Sequence, residues 1–258
     1  SWPAAVPILA PWMAAPGIAL VLTTTTTRRP AALTLPDRAY LLAVARRTWA
    51  YLDAFAGEGD HALPPDNVQV APDRRIAHRT SPTNIGLGLL AALAAHDLDF
   101  IGDAELVQRI DRTLTTIEGL EGFNGHLLNW YDTETLEPLW PRYVSTVDSG
   151  NLAGALLTLS VGLRGLAPSL AVRARALFDA MNFRFLFDPK RQLFAIGYRL
   201  ADADGAARLD PSFYDLLASE ARLASFLAIA KGDVPEMHWF RLGRPTTSVG
   251  GSPVLLSW

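Results

Sequence analysis

The sequence predicts a mainly α fold, a partial α/α toroid in which inner helices line a cup and outer helices cover them, with one small β-hairpin. Beyond about residue 30, apolar residues recur at helical spacing between loops rich in Pro, Gly and Asp. Amphipathic helices alternate with helices that are apolar almost all round, as two concentric layers require. No repeat of fixed period is present, which disfavours a solenoid. Six helices supply only half of such a ring. The chain stops at SPVLLSW, an apolar run without cap or polar tail, which reads as a segment of something longer.

Residues 1–22 carry no charged side chain and approach the length needed to span a bilayer, but Pro3, Pro7, Pro11 and Pro16 interrupt them. A cleaved signal peptide is rejected, because no basic residue precedes Arg28 and Arg29. Two readings of 1–29 stand: a loosely packed leader, or the end of a membrane region with Arg28 and Arg29 on the cytoplasmic side. The five threonines at 23–27 form a low-complexity join, and a domain boundary is placed near Pro30.

Asp37 to Ala56 reads as a helix with Leu41, Leu42, Ala45, Trp49, Leu52 and Phe55 on its buried stripe. Ser81 before Pro82 is an N-cap followed by proline at the first helical position, opening the next helix. Asp103 to Glu121 is the third. Asp148 to Leu163, rich in small and apolar residues, predicts an inner, buried helix, and Ala167 to Met181 an amphipathic one. Residues 183–200 alternate like strands around an Asp-Pro-Lys-Arg turn and predict a hairpin. Tyr214 to Lys231 reads as the last long helix.

With 258 residues, half of them hydrophobic, the chain can bury a sizeable core. A net charge of −3 with no run of Lys or Arg argues against a nucleic-acid partner. The absence of cysteine excludes disulfides, thiolate nucleophiles and Cys-type zinc sites. The five histidines, His61, His78, His96, His126 and His238, lack the spacing of a zinc helix, so no metal and no cofactor are expected. His126, beside Asn129, reads as a satisfied structural histidine rather than a base. No dinucleotide, P-loop or Gly-x-Ser-x-Gly motif occurs.

The densest chemistry lies in GHLLNWYDTETLEPLWPRYVSTVDSGN, where acids, aromatics and turn residues stand together. Carboxylates beside Trp and Tyr suit the binding and cleavage of sugars. Glycosidic-bond chemistry needs one acid to protonate the leaving oxygen, and a second carboxylate as nucleophile or as activator of water. Glu220 is the first candidate, set among Ala, Leu and Ser on an expected buried helix, where desolvation would raise its pKa. Its plain alternative is an intrahelical partner, with Tyr214, Asp215 and Arg222 flanking it. Asp148 is the second candidate, and its alternative is a helix N-cap. Asn151 and Ser149 beside it could bind sugar hydroxyls. Asp132 is either a hydroxyl ligand or an Asx-turn residue, and Trp130 or Tyr131 either a stacking platform or core. Arg142 and Tyr143 face the site, or form a surface pair with Glu137.

Three long blocks carry a resemblance: RTSPTNIGLGLLAALAAHDLDFIG at 79–102, GHLLNWYDTETLEPLWPRYVSTVDSGNLAGALLTL at 125–159, and FYDLLASEARLASFLAIAKGDVPEMHWFRLGR at 213–244. With LPPDN at 63–67 and VGGSPVLLSW at 249–258, the chain from about Thr34 onward resembles the central region of bacterial cyclic β-1,2-glucan synthases. The resemblance implies a large inner-membrane protein with a membrane glycosyltransferase, a central glucoamylase-like α/α domain and a phosphorylase-like C-terminal region. It implies that residues 30–258 are the first part of that central domain, a retaining transglycosylase that closes a linear β-1,2-glucan on itself. The partners implied are the glucan chain and the other domains of the same polypeptide, with membrane contact through 1–22 and a location on the cytoplasmic side of the inner membrane. By the SEAR, STVD, NWYDT and RYVST blocks, Glu220 and Asp148 are the catalytic candidates. Asp132, Trp130, Tyr131, Arg142, Tyr143, Asn151, Tyr214, Asp215 and Arg222 are the substrate-binding ones. Family members continue past the position of Trp258 into helices that complete the ring.

Overall fold

The computed structural model describes residues 2–23, 32–203 and 205–257. The chain divides into two compact units, Ser1–Leu42 and Ala43–Trp258. The predicted join through Thr24–Thr27, with Arg28, Arg29 and Pro30, lies outside the described residues.

The leader is helical over Trp2–Thr23 (α1) and runs past Pro11 and Pro16 without breaking, contrary to the expected interruption. Each proline removes one ladder donor and leaves the turns on either side intact. Among the described residues no helix is long and apolar enough to cross a membrane.

The helix α2, Leu35–Phe55, has no buried residue, so its expected core stripe is only partly covered: Trp49, Leu52 and Phe55 are half-buried, and Leu41 and Leu42 are exposed. The next helices follow the predicted alternation. These are α3 (Pro82–Asp97), α4 (Asp103–Gly119), α5 (Thr146–Gly162), α6 (Pro168–Ala180) and α7 (Arg222–Ala230), followed by the short α8 (Met237–Arg241). Helix α5 lies between α3 and α7, while α4 and α6 pack outside them. Nine of its residues are buried, among them Leu152, Ala153, Leu156 and Leu159. Amphipathic α4 turns Leu106, Ile110, Leu114 and Ile117 inward against the same core.

Small residues set the spacing of the inner layer. A Cβ added to Gly150 would stand 2.6 Å from Ala224 Cβ and 2.7 Å from the Ala224 amide, so α5 meets α7 backbone to backbone at their first turns. Thr83 in the first turn of α3 hydrogen-bonds Asp148 in the first turn of α5, and Leu93 further along α3 packs on Gly162 at the other end of α5. Helices α3 and α5 are therefore parallel, and the N-termini of α3, α5 and α7 gather at one end of the layer.

Short antiparallel sheets cover that end. Gly197–Arg199 pairs with both Tyr143–Ser145 and Arg208–Leu209, and Leu193–Ala195 pairs with both Phe187–Asp188 and Phe213–Tyr214. The predicted hairpin is present but shorter: Phe183–Leu186 forms a 3₁₀ turn, and residues 197–199 leave the hairpin to join Tyr143–Ser145. A further hairpin, Thr246–Val249 with Ser252–Leu255, is exposed.

The expected long helix from Tyr214 to Lys231 is a correction. Tyr214 is in a strand, 215–221 is irregular, and only Arg222–Ala230 is helical. Tertiary pairing overrides helical propensity there: Gly243 N donates to Asp215 O and Leu217 N donates to Gly243 O.

Candidate active site

Glu220, Asp148, Tyr214 and Tyr143 come together where the three inner helices begin. Ser145 ends its strand as the N-cap of α5, its Oγ accepting from Asp148 N at 3.2 Å. Asp148 is therefore in the first turn rather than at the cap, and its half-buried carboxylate is not used in capping. Both of its oxygens have donors. Thr83 Oγ1 donates to Oδ1 at 2.6 Å, and Asn151 Nδ2 donates to Thr83 Oγ1 at 3.0 Å. The Asn129 amide, oriented to satisfy its neighbours, donates to Oδ2 at 2.8 Å and accepts from Trp130 Nε1 at 3.0 Å.

Tyr214 is buried, and its Oη donates to Glu220 Oε1 at 3.4 Å. Burial, then the negative charges of Glu220, Asp148 and Asp210, push its phenol up to about 12. Those three carboxylates thus lie within electrostatic reach of one hydroxyl. Tyr143 Oη donates to Asp210 Oδ2 at 3.3 Å, and burial followed by the Asp210 charge raises the Tyr143 phenol as well. Its ring lies flat on the backbone of Gly197, where a Cβ would stand 2.3 Å from the ring, so only glycine admits it. Three helix N-termini beside three carboxylates also set partial positive charge against the acids' mutual repulsion.

Other expectations are corrected. Glu220 is exposed in the turn preceding α7, not buried on a helix, so the desolvation argument for it fails. Tyr131 is fully buried, donating to Glu121 O and accepting from Leu128 N, and its burial raises its phenol; it is core and not a stacking platform. Asp132 Oδ1 accepts from the Glu134 and Thr135 amides at 2.9 and 2.8 Å, the Asx-turn alternative, and the Thr135 amide foremost holds its carboxyl below the usual range. Trp130 is half-buried with the Arg79 guanidinium 4.9 Å above its ring. Arg142 pairs with Glu121 rather than Glu137, and strand alternation directs it away from the face that carries Tyr143. Asp215 and Arg222 are exposed on either side of Glu220. His126 is fully buried but, against expectation, neither ring nitrogen has a hydrogen-bond partner.

Thr83, Asn129 and Asp210 are missing from the sequence-based site. Thr83 lies two residues after the Ser81 cap. Asn129 adjoins Trp130, and Asp210 precedes Pro211, a context common in turns. A cavity of about 940 Å³ lies elsewhere, lined by Trp49 and Asp53 of α2, Leu89 of α3 and Arg109 of α4, with none of the clustered acids. Among the described residues no group of His, Asp or Glu could hold a metal ion.

Residues 43–149 match a family model described as a protein of unknown function, DUF3131. The chain is 33% identical to cyclic beta-(1,2)-glucan synthase NdvB of Rhizobium meliloti (strain 1021), over 83% of its own length and 12% of that protein. An endo-beta-1,2-glucanase from Chitinophaga pinensis, solved with sophorotriose and glucose, has a TM-score of 0.68 at 15% identity, covering 87% of this chain and 56% of that one. The endo-beta-1,2-glucanase from Talaromyces funiculosus, solved with sophorose, has a TM-score of 0.66 at 13% identity, covering 86% and 54%. The chain thus spans about an eighth of the synthase and just over half of each glucanase. By sequence the chain is a relative of the cyclic beta-(1,2)-glucan synthase, and its fold is the α/α fold of the two glucanases.

Proposed function

We propose that this chain forms part of a β-1,2-glucan-processing site which, in its parent protein, breaks a β-1,2-glucosidic bond and remakes it to close the glucan into a ring. The observation that carries the reading is that Asp148 of α5 and Glu220 before α7 stand at helix starts packed against one another, with Tyr214 on Glu220 and Tyr143 on Asp210 beside them. In such a step the bond from the anomeric carbon to the bridging oxygen breaks, and an acid protonates the leaving oxygen. A hydroxyl of the same glucan then takes the glucosyl unit and gives its proton to the carboxylate that had protonated the leaving oxygen. Glu220, open to solvent and accepting from Tyr214 Oη at 3.4 Å, takes the part of the acid on the leaving oxygen in this reading. Asp148, with a donor on each oxygen, is a fixed acceptor for a sugar hydroxyl or for positive charge at the anomeric carbon. Residues 30–258 are taken as the α/α domain and 1–29 as its leader. The expected inner-membrane location would rest on that leader, and the chemistry does not depend on it.

Hydrolysis is the second reading, favoured by the two structurally similar glucanases. Linear β-1,2-glucan incubated with the chain, and with a form extended past Trp258, separates the readings by product. Cyclic glucan supports ring closure, shortened linear chains indicate hydrolysis, and binding without turnover in both forms leaves only a carbohydrate-binding segment. In the turnover-competent form, Glu220→Gln should keep glucan binding and lower turnover by at least roughly a hundredfold. Wild-type rates in that variant would remove Glu220 from the chemistry.

A further inference from the structure

The ladder beside Asp148 contains a register break. Asp132 N donates to Glu137 O and Leu139 N donates to Trp130 O, a regular antiparallel run. One residue back, Asn129 N donates to Tyr143 O at 2.7 Å. Asn129 and Trp130 are consecutive, yet their partners are Tyr143 and Leu139, so Trp140, Pro141 and Arg142 are left unpaired on this side as a three-residue bulge, with the Arg142 carbonyl accepting from Leu200 N on the other. Bulges of this kind re-aim side chains at the edges of sites. Arg142 turns back to Glu121, whereas the Trp140 indole is 69% exposed. Among the described residues no ring or cation is stacked on Trp140, in contrast to Trp130 beneath Arg79.

Leaving an indole in water forgoes the burial that a Trp side chain ordinarily gains. The backbone of Trp140 directly follows Leu139, the partner of Trp130, and so lies beside that of Asn129, whose side chain reaches Asp148 Oδ2. A β-linked glucopyranose offers a flat C–H face to an aromatic ring and a rim of hydroxyls to acceptors such as Asp148. We infer that Trp140 is a stacking platform for a glucose unit of the glucan next to the one held at Asp148. This rests on the glucan reading above and transfers the platform role from Trp130 and Tyr131 to a residue presented by the bulge.

The test is titration calorimetry of the 258-residue chain with linear β-1,2-glucooligosaccharides, for wild type, Trp140→Ala and Trp140→Phe, with thermal melting of each. Trp140→Ala should raise Kd by roughly tenfold or more at an unchanged melting midpoint, and Trp140→Phe, which keeps a flat ring, should recover much of the loss. Wild-type affinity in Trp140→Ala overturns the platform and leaves the glucan reading standing. No binding by the wild type defeats the glucan reading, and the platform with it. If the Ala variant also melts lower, the Phe variant decides: affinity near wild type supports stacking, and a loss equal to that of Ala overturns it.

Discussion

Replacing His126 by Phe should abolish a large part of the acid sensitivity of this fold. The His126 ring is fully buried, edge-on to Phe183 at 4.8 Å and to Phe185 at 5.3 Å between centroids. Burial pulls its pKa from 6.5 down to about 4; the nearby Asn182 backbone offsets part of this, and the Lys231 charge adds to it. Because the folded state holds the proton less tightly than the unfolded state, stability is complete above about pH 7 and falls as the pH drops from 6.5 toward 4. The loss amounts to about 2 kcal/mol at pH 5 and about 3 kcal/mol below pH 4, from about 1.4 kcal/mol per pKa unit. Phenylalanine fills similar volume and forfeits no hydrogen bond, so at pH 7.5 the variant should lie within about 1 kcal/mol of wild type. Urea denaturation between pH 7.5 and 4.5 checks this, with the difference between the two proteins as the readout. Other groups cancel in that difference, including His238, also depressed by burial, and His78 and His96, raised by Asp60 and Asp103. Parallel stability curves for wild type and variant over that range would refute the reasoning.

Two further substitutions probe the packing that assembles the site. Gly150→Ala forces a methyl group to within 2.6 Å of Ala224 and should cost roughly 2 kcal/mol, seen as a lower urea midpoint, with glucan affinity falling as α5 and α7 separate. Lys231→Met removes the ammonium that donates to Phe178 O at 2.7 Å and to Met181 O, carbonyls at the C-terminal end of α6. That loss should be about 2 kcal/mol by thermal or urea melting, without change in glucan affinity, because the residue lies outside the acid cluster.

The parts of the fold legible in the sequence are those decided locally. Ser81 with Pro82 marks the start of α3 because cap and proline act within one turn, and the run of small and apolar residues marks α5 as inner because no polar face was available to expose. Where tertiary pairing decides, local reading fails. Residues 214–221 have helical composition, yet their backbone is taken by Leu193–Ala195 and Gly243. Asp148 and Ser145 are both good capping residues three positions apart, and the backbone takes Ser145 as the cap of α5. In the site, Glu220 and Asp148 stood out as acids among apolar residues. The hydroxyl that holds Asp148 comes from Thr83, 65 residues away, and no local pattern announces such a partner. Tyr131 and Trp130 share one dipeptide, and strand alternation, invisible without the register, sends Tyr131 into the core.

The two candidate acids are treated in opposite ways by the same fold. Asp148 lies in the first turn of an inner helix, and its oxygens are held by a side chain of the neighbouring inner helix and by one from the preceding ladder. Glu220 stands one step outside α7 with the Tyr214 hydroxyl at 3.4 Å. Two carboxylates that share a field but differ in mobility and solvation can divide the work of a glycosidic step, one fixed as an acceptor and the other exchanging a proton. The difference follows from where α5 and α7 begin relative to their acids: Ser145 caps α5 three residues before Asp148, whereas α7 starts two residues after Glu220. Moving the start of α7 back past Glu220 would give both acids a first-turn environment and erase the asymmetry. The pairing of the 215 and 217 backbone with Gly243 holds that start in place, so the asymmetry between the two acids rests on main-chain hydrogen bonds remote in sequence from both helices.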